Sequence, residues 1–428
     1  MKIKAIKRTQ IDADRISEQT SRMANSNLTN AKRATNDEFY TQYADIQKEI
    51  EAYLEFDAAV FRGKVVYCNC DDPYESNFFR YFVLNFKKLG LKQLITTSYK
   101  PSPVANTQLE LYGDDQTLSK LKGRPKISAN KFIINEVHKI AGDGEFNLES
   151  VAKKLKANKN NEWTPLEGDG DFRNPECVEL LKQSDIVITN PPFSLFREYV
   201  KQLFDCNKQF VIIGNMNSIT YKEVFPKLKE NKMWLGATNF NTGMYFKVPE
   251  NFKYAATYKF ERERNGEKVN RVPGVCWFTS LVHGRRQQPL PLMTTKENLK
   301  YSKHKEIKGK RTYLKYDNYD AIEVPFTDAI PSDHEGVMGV PISFLDKYNP
   351  DQFEIVGYEK SYHLRTRIYP QQLQVDKNGG TSSVTKLNDG AAIKLPTQPA
   401  NMTFYKVGND FFVQPFKRIF IKHKNPLK

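Results

Sequence analysis

The run Asp185-Ile186-Val187-Ile188-Thr189, four of whose five residues are β-branched, leads without a break into Asn190-Pro191-Pro192-Phe193. A short run dominated by β-branched residues fits a strand covered on both faces. The two prolines must end it. Each fixes φ, lacks an N–H, and pushes the residue before it out of the helical region. Ser194–Phe204 then resumes a helical pattern. A doubly buried strand with a stiff extended tip and a helix behind it marks a parallel sheet with crossover connections.

The same alternation recurs from 35 to about 285. Lys64-Val65-Val66-Tyr67-Cys68 reads as a strand, Asn77–Leu89 as a helix and Gln93-Leu94-Ile95-Thr96-Thr97 as a strand. Cys177–Lys182 predicts a helix before the central strand, and Gln209–Gly214 a strand after it. Open α/β sheets bind ligands at the carboxyl ends of their strands. Beyond 285 the pattern turns irregular. Phe353–Val356 and Arg418–Ile421 are short strands, and Gly379-Gly380 interrupts a polar stretch. The expected organisation is an extension over 1–34 (flexible or DNA-contacting), an α/β domain over 35–285 and a separate α+β domain over 286–428.

Composition narrows the partner. A chain of 428 residues has length for two or three domains, and 12% aromatic content argues against disorder. Lys and Arg number 65 against 50 Asp and Glu, a net charge of +15 that favours a polyanion. Arg285 to Arg311 carries nine basic residues against Glu297 and Glu306 alone. Arg285, Arg286, Lys303, Lys305, Lys308, Lys310 and Arg311 are the candidates for phosphate contact. A solvated loop is the plainer reading of such a run. No apolar run approaches the roughly 18 residues of a membrane span, and the N-terminus lacks the apolar core of a signal peptide. A cytoplasmic protein is expected. The cysteines Cys68, Cys70, Cys177, Cys206 and Cys276 are odd in number with no C-x-x-C spacing, and the six histidines are scattered. Neither a disulfide framework nor a metal site is expected.

The Asn-Pro-Pro-Phe tip carries chemistry. The amide oxygen of Asn190 and the carbonyl of Pro191 can together accept hydrogen bonds from one planar –NH2 group, while Phe193 stacks on the attached ring. An exocyclic amine such as adenine's is a poor nucleophile because its lone pair is delocalised. Two acceptors that draw it toward tetrahedral geometry localise the pair and aim it, through preorganised dipoles with no covalent enzyme intermediate. The electrophile this implies is the methyl of S-adenosylmethionine.

Longer stretches point the same way: Asp37–Tyr43, Val65–Pro73, Gly168–Arg173, Ser184–Phe196, Asn217–Phe225, Lys315–Ile322 and Gly336–Ile342. In these, in this order, the chain resembles the EcoRI-type DNA adenine-N6 methyltransferase family over roughly residues 35–360 plus the final strand. The resemblance implies a Rossmann-like S-adenosylmethionine-dependent methyltransferase domain, followed by a C-terminal α+β target-recognition domain. It also implies transfer to the N6 amine of an adenine flipped out of double-stranded DNA, since a stacked amine cannot meet both acceptors and the methyl donor. Carried over by position, Asn190, Pro191, Pro192 and Phe193 form the catalytic pocket. Phe39 and Thr41 approach the methionine part of the cofactor. Asp171 and Phe172 take its adenine, in preference to the similar Gly142–Phe146, and Asp71 or Asp72 contacts it elsewhere. The resemblance further implies a monomer in a bacterial or phage-encoded setting, with a separate cognate restriction endonuclease.

The chain departs from the usual pattern in two places. No glycine follows the first strand, where Cys70–Phe78 stand, and Thr96-Thr97-Ser98-Tyr99 replaces the usual acidic ribose partner. Tyr245 or Phe246 is a candidate second wall for the base, with core packing as the alternative. An RNA or protein-glutamine methyltransferase with the same tip, or a DNA-binding protein that has lost catalysis, are the competing functions.

Overall fold

The computed structural model describes residues 40–70, 76–98, 129–138, 155, 157–238, 240, 242–248, 252–254, 258–264 and 266–427. The extension over 1–34, Phe39, Asp71, Asp72 and Gly142–Phe146 lie outside the described residues.

The chain forms β1 (Tyr40–Thr41), α1 (Tyr43–Phe56), β2 (Val65–Cys68), α2 (Asn77–Leu84), α3 (Phe86–Leu89), β3 (Gln93–Thr97), β4 (Asn130–Ile134) and β5 (Glu162–Pro165). It continues through α4 (Pro175–Gln183), β6 (Ile186–Thr189), α5 (Phe196–Asp205), β7 (Gln209–Asn215), α6 (Phe225–Lys229), β8 (Trp234–Leu235), β9 (Met244–Lys247), β10 (Glu263–Arg264), β11 (Glu267–Val272) and β12 (Val275–Thr279). Eight of these strands make one sheet in the order β5-β4-β3-β2-β6-β7-β12-β8. The four central strands, β3-β2-β6-β7, are parallel, as their apolar runs require. The flanks are antiparallel, which the expectation of a parallel sheet did not include. An antiparallel neighbour needs no crossover helix, and a strand's own residues do not state its neighbour's direction.

Alternate residues of each central strand enter opposite cores. Val65, Tyr67, Val187, Phe210 and Ile212 pack with Cys177, Leu180, Tyr199 and Leu203 of α4 and α5. Val66, Cys68, Ile186, Ile188, Val211 and Ile213 pack with Ile46, Ile50, Phe78 and Phe82 of α1 and α2. Helices therefore cover both faces, in three layers. A smaller sheet, β1-β9-β11-β10, hangs at the end of α1. Its approach is anchored by Glu49, fully buried, which accepts from Tyr53 Oη at 2.7 Å and from the N–H groups of Ala237 and Thr238 at 2.9 Å.

The remainder contains α7 (Gly284–Gln287), α8 (Thr295–Tyr301), β13 (Ala321–Glu323), β14 (Val337–Pro341), β15 (Phe353–Tyr358), β16 (Gln372–Val375), β17 (Thr381–Val384), β18 (Ile393–Leu395), β19 (Phe404–Val407), β20 (Asp410–Val413) and β21 (Arg418–His423). Two sheets result, β13-β14-β21-β15 and β17-β16-β19-β20-β18. The expected boundary at 285 falls inside α7, and one apolar cluster runs across it. Ile322, Met338, Phe344, Ile355 and Ile421 belong to the same core as Phe210 and Phe225. Phe225 meets Tyr358 at 4.4 Å between ring centroids.

Candidate active site

In the central sheet β2 is followed in sequence by β3 on one side, while β6 lies on its other side. The strand order therefore reverses between β2 and β6, and it is there, beyond the carboxyl ends, that an open α/β sheet forms its ligand crevice. Asn69 bridges that point. It is 2% exposed, its main-chain carbonyl accepts from the Thr189 hydroxyl at the end of β6, and its side-chain carbonyl accepts from the Tyr199 hydroxyl on α5. Cys70 then turns the chain with a left-handed φ of 63°. A left-handed conformation of the kind a glycine usually supplies is adopted here by a residue with a side chain.

Asn190 leaves the tip of β6 half-buried, Pro191 is buried, and Pro192 is extended at φ −56°, ψ 122°. The Leu195 N–H closes on the Pro192 carbonyl at 3.0 Å, so the helix starts immediately after the rigid tip. Phe193 is half-buried against the cluster that holds Val66, Cys68 and Ile188. Phe196 anchors α5 over the neighbouring strand, where a Cβ at Gly214 would come within 2.5 Å of its ring. The backbone of these four residues is thus held stiffly at the end of β6, with Asn190, Pro192 and Phe193 half-buried.

Thr41 reaches the same edge of the sheet from β1. It is 4% exposed, and its carbonyl accepts from Asn77 Nδ2 at 2.7 Å, at the start of the helix that follows β2. The Thr41 hydroxyl and the Gln42 amide nitrogen are buried and have no hydrogen-bond partner among the described residues. Buried polar groups of this kind are completed by water, by a ligand or by chain outside the described residues. Phe246 is Thr41's register partner and is 1% exposed, so it is core. Tyr245 lies under the Arg264 guanidinium at 3.5 Å.

Asp171 and Phe172 sit over the end of β3. At Gly170, φ is +81° and a Cβ would stand 1.9 Å from the Ser98 carbonyl oxygen, so only glycine fits this crossing. Asp171 is held by Arg173, with Oδ2 to Nη2 at 2.6 Å and Oδ1 to Nε at 2.9 Å, and this pairing keeps its carboxyl below the usual range. Phe172 is 3% exposed and packs edge-on to Tyr199 at 4.9 Å. The ring that the resemblance assigns to the cofactor is packed in the core, beside the exposed guanidinium of Arg173.

The basic candidates divide. Arg286 is 7% exposed, with its guanidinium 3.8 Å from the Trp234 ring centroid and Nη2 bonded to Asn231. Arg285 bonds the Ala237 carbonyl and pairs with Asp346, whose side chain is 2% exposed. Arg286 is buried at the junction of the two halves, which corrects its assignment as a phosphate contact; Arg285 is engaged at the same junction with its side chain 37% exposed. Lys303 pairs with Asp328 at 2.7 Å. Lys305, Lys308, Lys310 and Arg311 are exposed.

A second basic surface went unread in the sequence. In and around the β10–β11 hairpin, Arg262 lies over Tyr254 at 5.0 Å and Arg271 over Phe260 at 4.2 Å, beside the Arg264–Tyr245 stack. Tyr254 and Tyr258 adjoin at 4.8 Å. The available signal was Asn265-Gly266 between two polar β-compatible runs, a hairpin turn pair. Arginines interleaved with aromatic rings suit the phosphates and bases of nucleic acid.

Other features are quiet. No group of three His, Cys, Asp or Glu among the described residues could hold a metal ion. Burial pushes the Cys177 thiol up to about 11. No described helix is long and apolar enough to cross a membrane. A groove of about 630 Å³ lined by Glu51, Glu55, Phe56 and Arg285 includes no residue of the β2 or β6 tips.

The family described as adenine-specific methyltransferase EcoRI matches residues 27–424. The Type II methyltransferase M.EcoRI of Escherichia coli is 43% identical over 337 residues, spanning 78% of this chain and 90% of that protein. M.MpnI of Mycoplasma pneumoniae, also a Type II methyltransferase, is 36% identical over 345 residues, 79% of this chain and 89% of its own. M.MgeORF184P of Mycoplasma genitalium is 34% identical over 327 residues, 76% of this chain and 84% of its own. No solved structure matches the chain.

Proposed function

The chain belongs to the adenine-specific EcoRI methyltransferase family, and on that premise we propose that it methylates the N6 amine of an adenine flipped out of duplex DNA at a specific sequence, using S-adenosylmethionine. The observation that carries this reading is the rigid Asn190-Pro191-Pro192-Phe193 tip at the reversal point of the sheet. The oxygen of Asn190 and the carbonyl of Pro191 accept the two amine hydrogens. Phe193 holds the plane of the base. Extrusion is necessary because the amine cannot meet both oxygens from within the stack. The attacking nitrogen would gain its bond to the methyl carbon as the carbon–sulfur bond breaks and the sulfonium leaves as a neutral thioether; the charged amine would then release one proton to solvent, while Asn190 and Pro191 hold the amine by accepting hydrogen bonds.

S-adenosylmethionine, when bound, supplies a methyl group on a sulfonium centre that is open to in-line attack. The residues at the crevice fit such a ligand. The buried Thr41 hydroxyl and Gln42 amide offer polar partners, and Cys70 adopts a left-handed conformation just beyond β2. Asp171, with Asp71, Asp72 and Phe39, completes the candidate set. Phe172 supports it from within the core.

We assign catalysis to a Rossmann-like domain over 35–285 and target recognition to 286–428. Phosphate contact falls to Lys305, Lys308, Lys310 and Arg311, together with the hairpin arginines. A monomer acting in the cytoplasm of a bacterial or phage-infected cell, paired with a separate endonuclease, fits a Type II modification enzyme. The test is incubation of the purified protein with tritiated S-adenosylmethionine and unmodified duplex DNA, followed by sequencing that reports modified bases. N6-methyladenine in one fixed context is expected. Label on RNA or protein alone, or none on any DNA, overturns the reading.

A further inference from the structure

Phe416 is the most exposed of the large apolar side chains among the described residues, at 72%. It lies in the connection Gln414–Lys417 between β20 and β21 and belongs to neither sheet. A single exposed ring on a free loop would need no explanation. This one is braced on both sides. Arg418 grips Glu323 through Nη2 at 2.6 Å and Nε at 3.0 Å, with side chains 10% and 6% exposed. The same guanidinium donates through Nη1 to the carbonyl of Phe416. A bidentate buried pair has a fixed geometry, so the carbonyl it holds is fixed too.

On the other side, Lys417 donates to Asn217 Oδ1 at 3.1 Å. Asn217 stands two residues beyond the end of β7, and its own N–H donates to Asn215 Oδ1 at 2.8 Å. β7 is the parallel neighbour of β6, with Ile212 opposite Thr189. The loop bearing Phe416 is therefore tied to the segment that follows β7, the parallel neighbour of the strand that leads into Asn190, and its ring is exposed to solvent.

We propose that Phe416 is a wedge that enters the duplex at the target step and takes up the stacking lost when the adenine leaves. The proposal rests on the reading of the chain as an enzyme acting on an extruded adenine. Extrusion removes stacking from both neighbouring base pairs, and an apolar ring inserted into the gap restores part of it. A flat ring suits the gap because it can stack on either neighbour whatever its sequence. Its rigid mounting means that little order must be gained when it inserts.

The experiment uses the full chain and a duplex carrying its methylated sequence, with 2-aminopurine in place of the target adenine to report extrusion as fluorescence. Phe416→Ala is expected to lower the fluorescence gain several-fold, and the single-turnover rate on ordinary DNA on the order of 10- to 100-fold. Phe416→Trp should keep both. Placing an abasic site opposite the target adenine lowers the cost of extrusion, and should return Phe416→Ala to within about threefold of wild type. A wild-type fluorescence gain and rate in Phe416→Ala overturns the wedge alone. So does a rate loss that the abasic partner leaves uncorrected, because the defect is then in folding or docking. A wild-type protein that neither raises fluorescence nor methylates adenine overturns the functional reading, and the wedge with it.

Discussion

The hydroxyl of Tyr199 donates to the side-chain carbonyl of Asn69 across 130 positions of sequence, inside a core where neither residue is more than 2% exposed. Thr189 donates to the main chain of the same asparagine. Asn69 thereby joins β2, β6 and α5 at the point where the Asn190 tip emerges. Tyr199→Phe keeps the ring packing and deletes one donor, leaving a buried acceptor short of a partner. Its expected cost is about 1–3 kcal/mol of stability. Because the tip is loosened while the DNA-facing surface is untouched, kcat should fall more than affinity for DNA. Urea unfolding and steady-state kinetics check both. Unchanged stability together with unchanged kcat would remove Asn69 from its bracing role.

Asn190→Ala removes one of the two oxygens assigned to the target amine. By analogy with removal of one preorganised transition-state dipole, turnover should fall on the order of 100- to 1,000-fold. DNA affinity and its salt dependence should stay within a factor of about two, because the positive charge that sets them lies elsewhere. Near-normal turnover in this variant, measured with saturating methyl donor, would sink the assigned role.

The central strands and the tip were legible because their signals are local. Two prolines fix their own dihedrals, and a run such as Ile186-Val187-Ile188 can only be doubly buried. What was not legible depends on partners far away in sequence. Val275–Thr279 pairs antiparallel with β7, yet its own residues fit either direction. Arg286 raises the net charge equally with Lys308, but Trp234 decides that it faces inward. The edge contact of Phe172 with Tyr199, 27 positions on, is of the same long-range kind. The left-handed turn at Cys70 could not be anticipated, since that conformation is uncommon for a residue with a Cβ.

The two classes of basic residue should separate by experiment. Arg286→Ala removes a desolvated stack on Trp234 and a hydrogen bond to Asn231, together worth about 2–4 kcal/mol. Its salt dependence of DNA binding should be that of wild type. Replacing Lys305, Lys308, Lys310 and Arg311 together by Ala should leave the melting temperature nearly unchanged. It should flatten the slope of log affinity against log salt by about 0.9 for each phosphate that is no longer neutralised. Thermal melts and salt titrations of DNA binding distinguish the two. An unaltered salt slope in the quadruple variant would clear that loop of any part in DNA binding.

Two buried histidines should make the fold sensitive to mild acid. His283 is 3% exposed, lies edge-on to Tyr53 at 5.7 Å, and has Nε2 at 3.0 Å from the Leu235 carbonyl. Burial, reinforced by the nearby charges of Arg286 and Arg285, holds its pKa below 6.5. His423 is 5% exposed, has Nε2 at 2.8 Å from the Pro331 carbonyl, and is lowered by burial in the same way. In the unfolded chain both take up a proton near pH 6.5. Between the folded value and 6.5 the unfolded state binds more protons, so stability rises with pH across that window. The contribution is complete above 6.5 and is lost as pH falls through the folded values. Asp171 and Glu176, lowered by their partners, act only below their ordinary values of 3.8 and 4.5 and do not overlap. Glu49 and Glu359, raised by burial, act in the opposite sense, so the histidine share is read by difference. Urea unfolding at pH 7.5, 6.5 and 5.5 should show that share as a fall of up to about 1.4 kcal/mol per pH unit for each histidine involved. His283→Gln keeps an N–H for the Leu235 carbonyl but cannot titrate, and should remove its part of the slope. His334, also lowered by burial, acts in the same window, so a slope that survives in His283→Gln and His423→Gln combined but disappears with His334→Gln would move the acid sensitivity to that residue, and one that survives all three would place it outside the histidines.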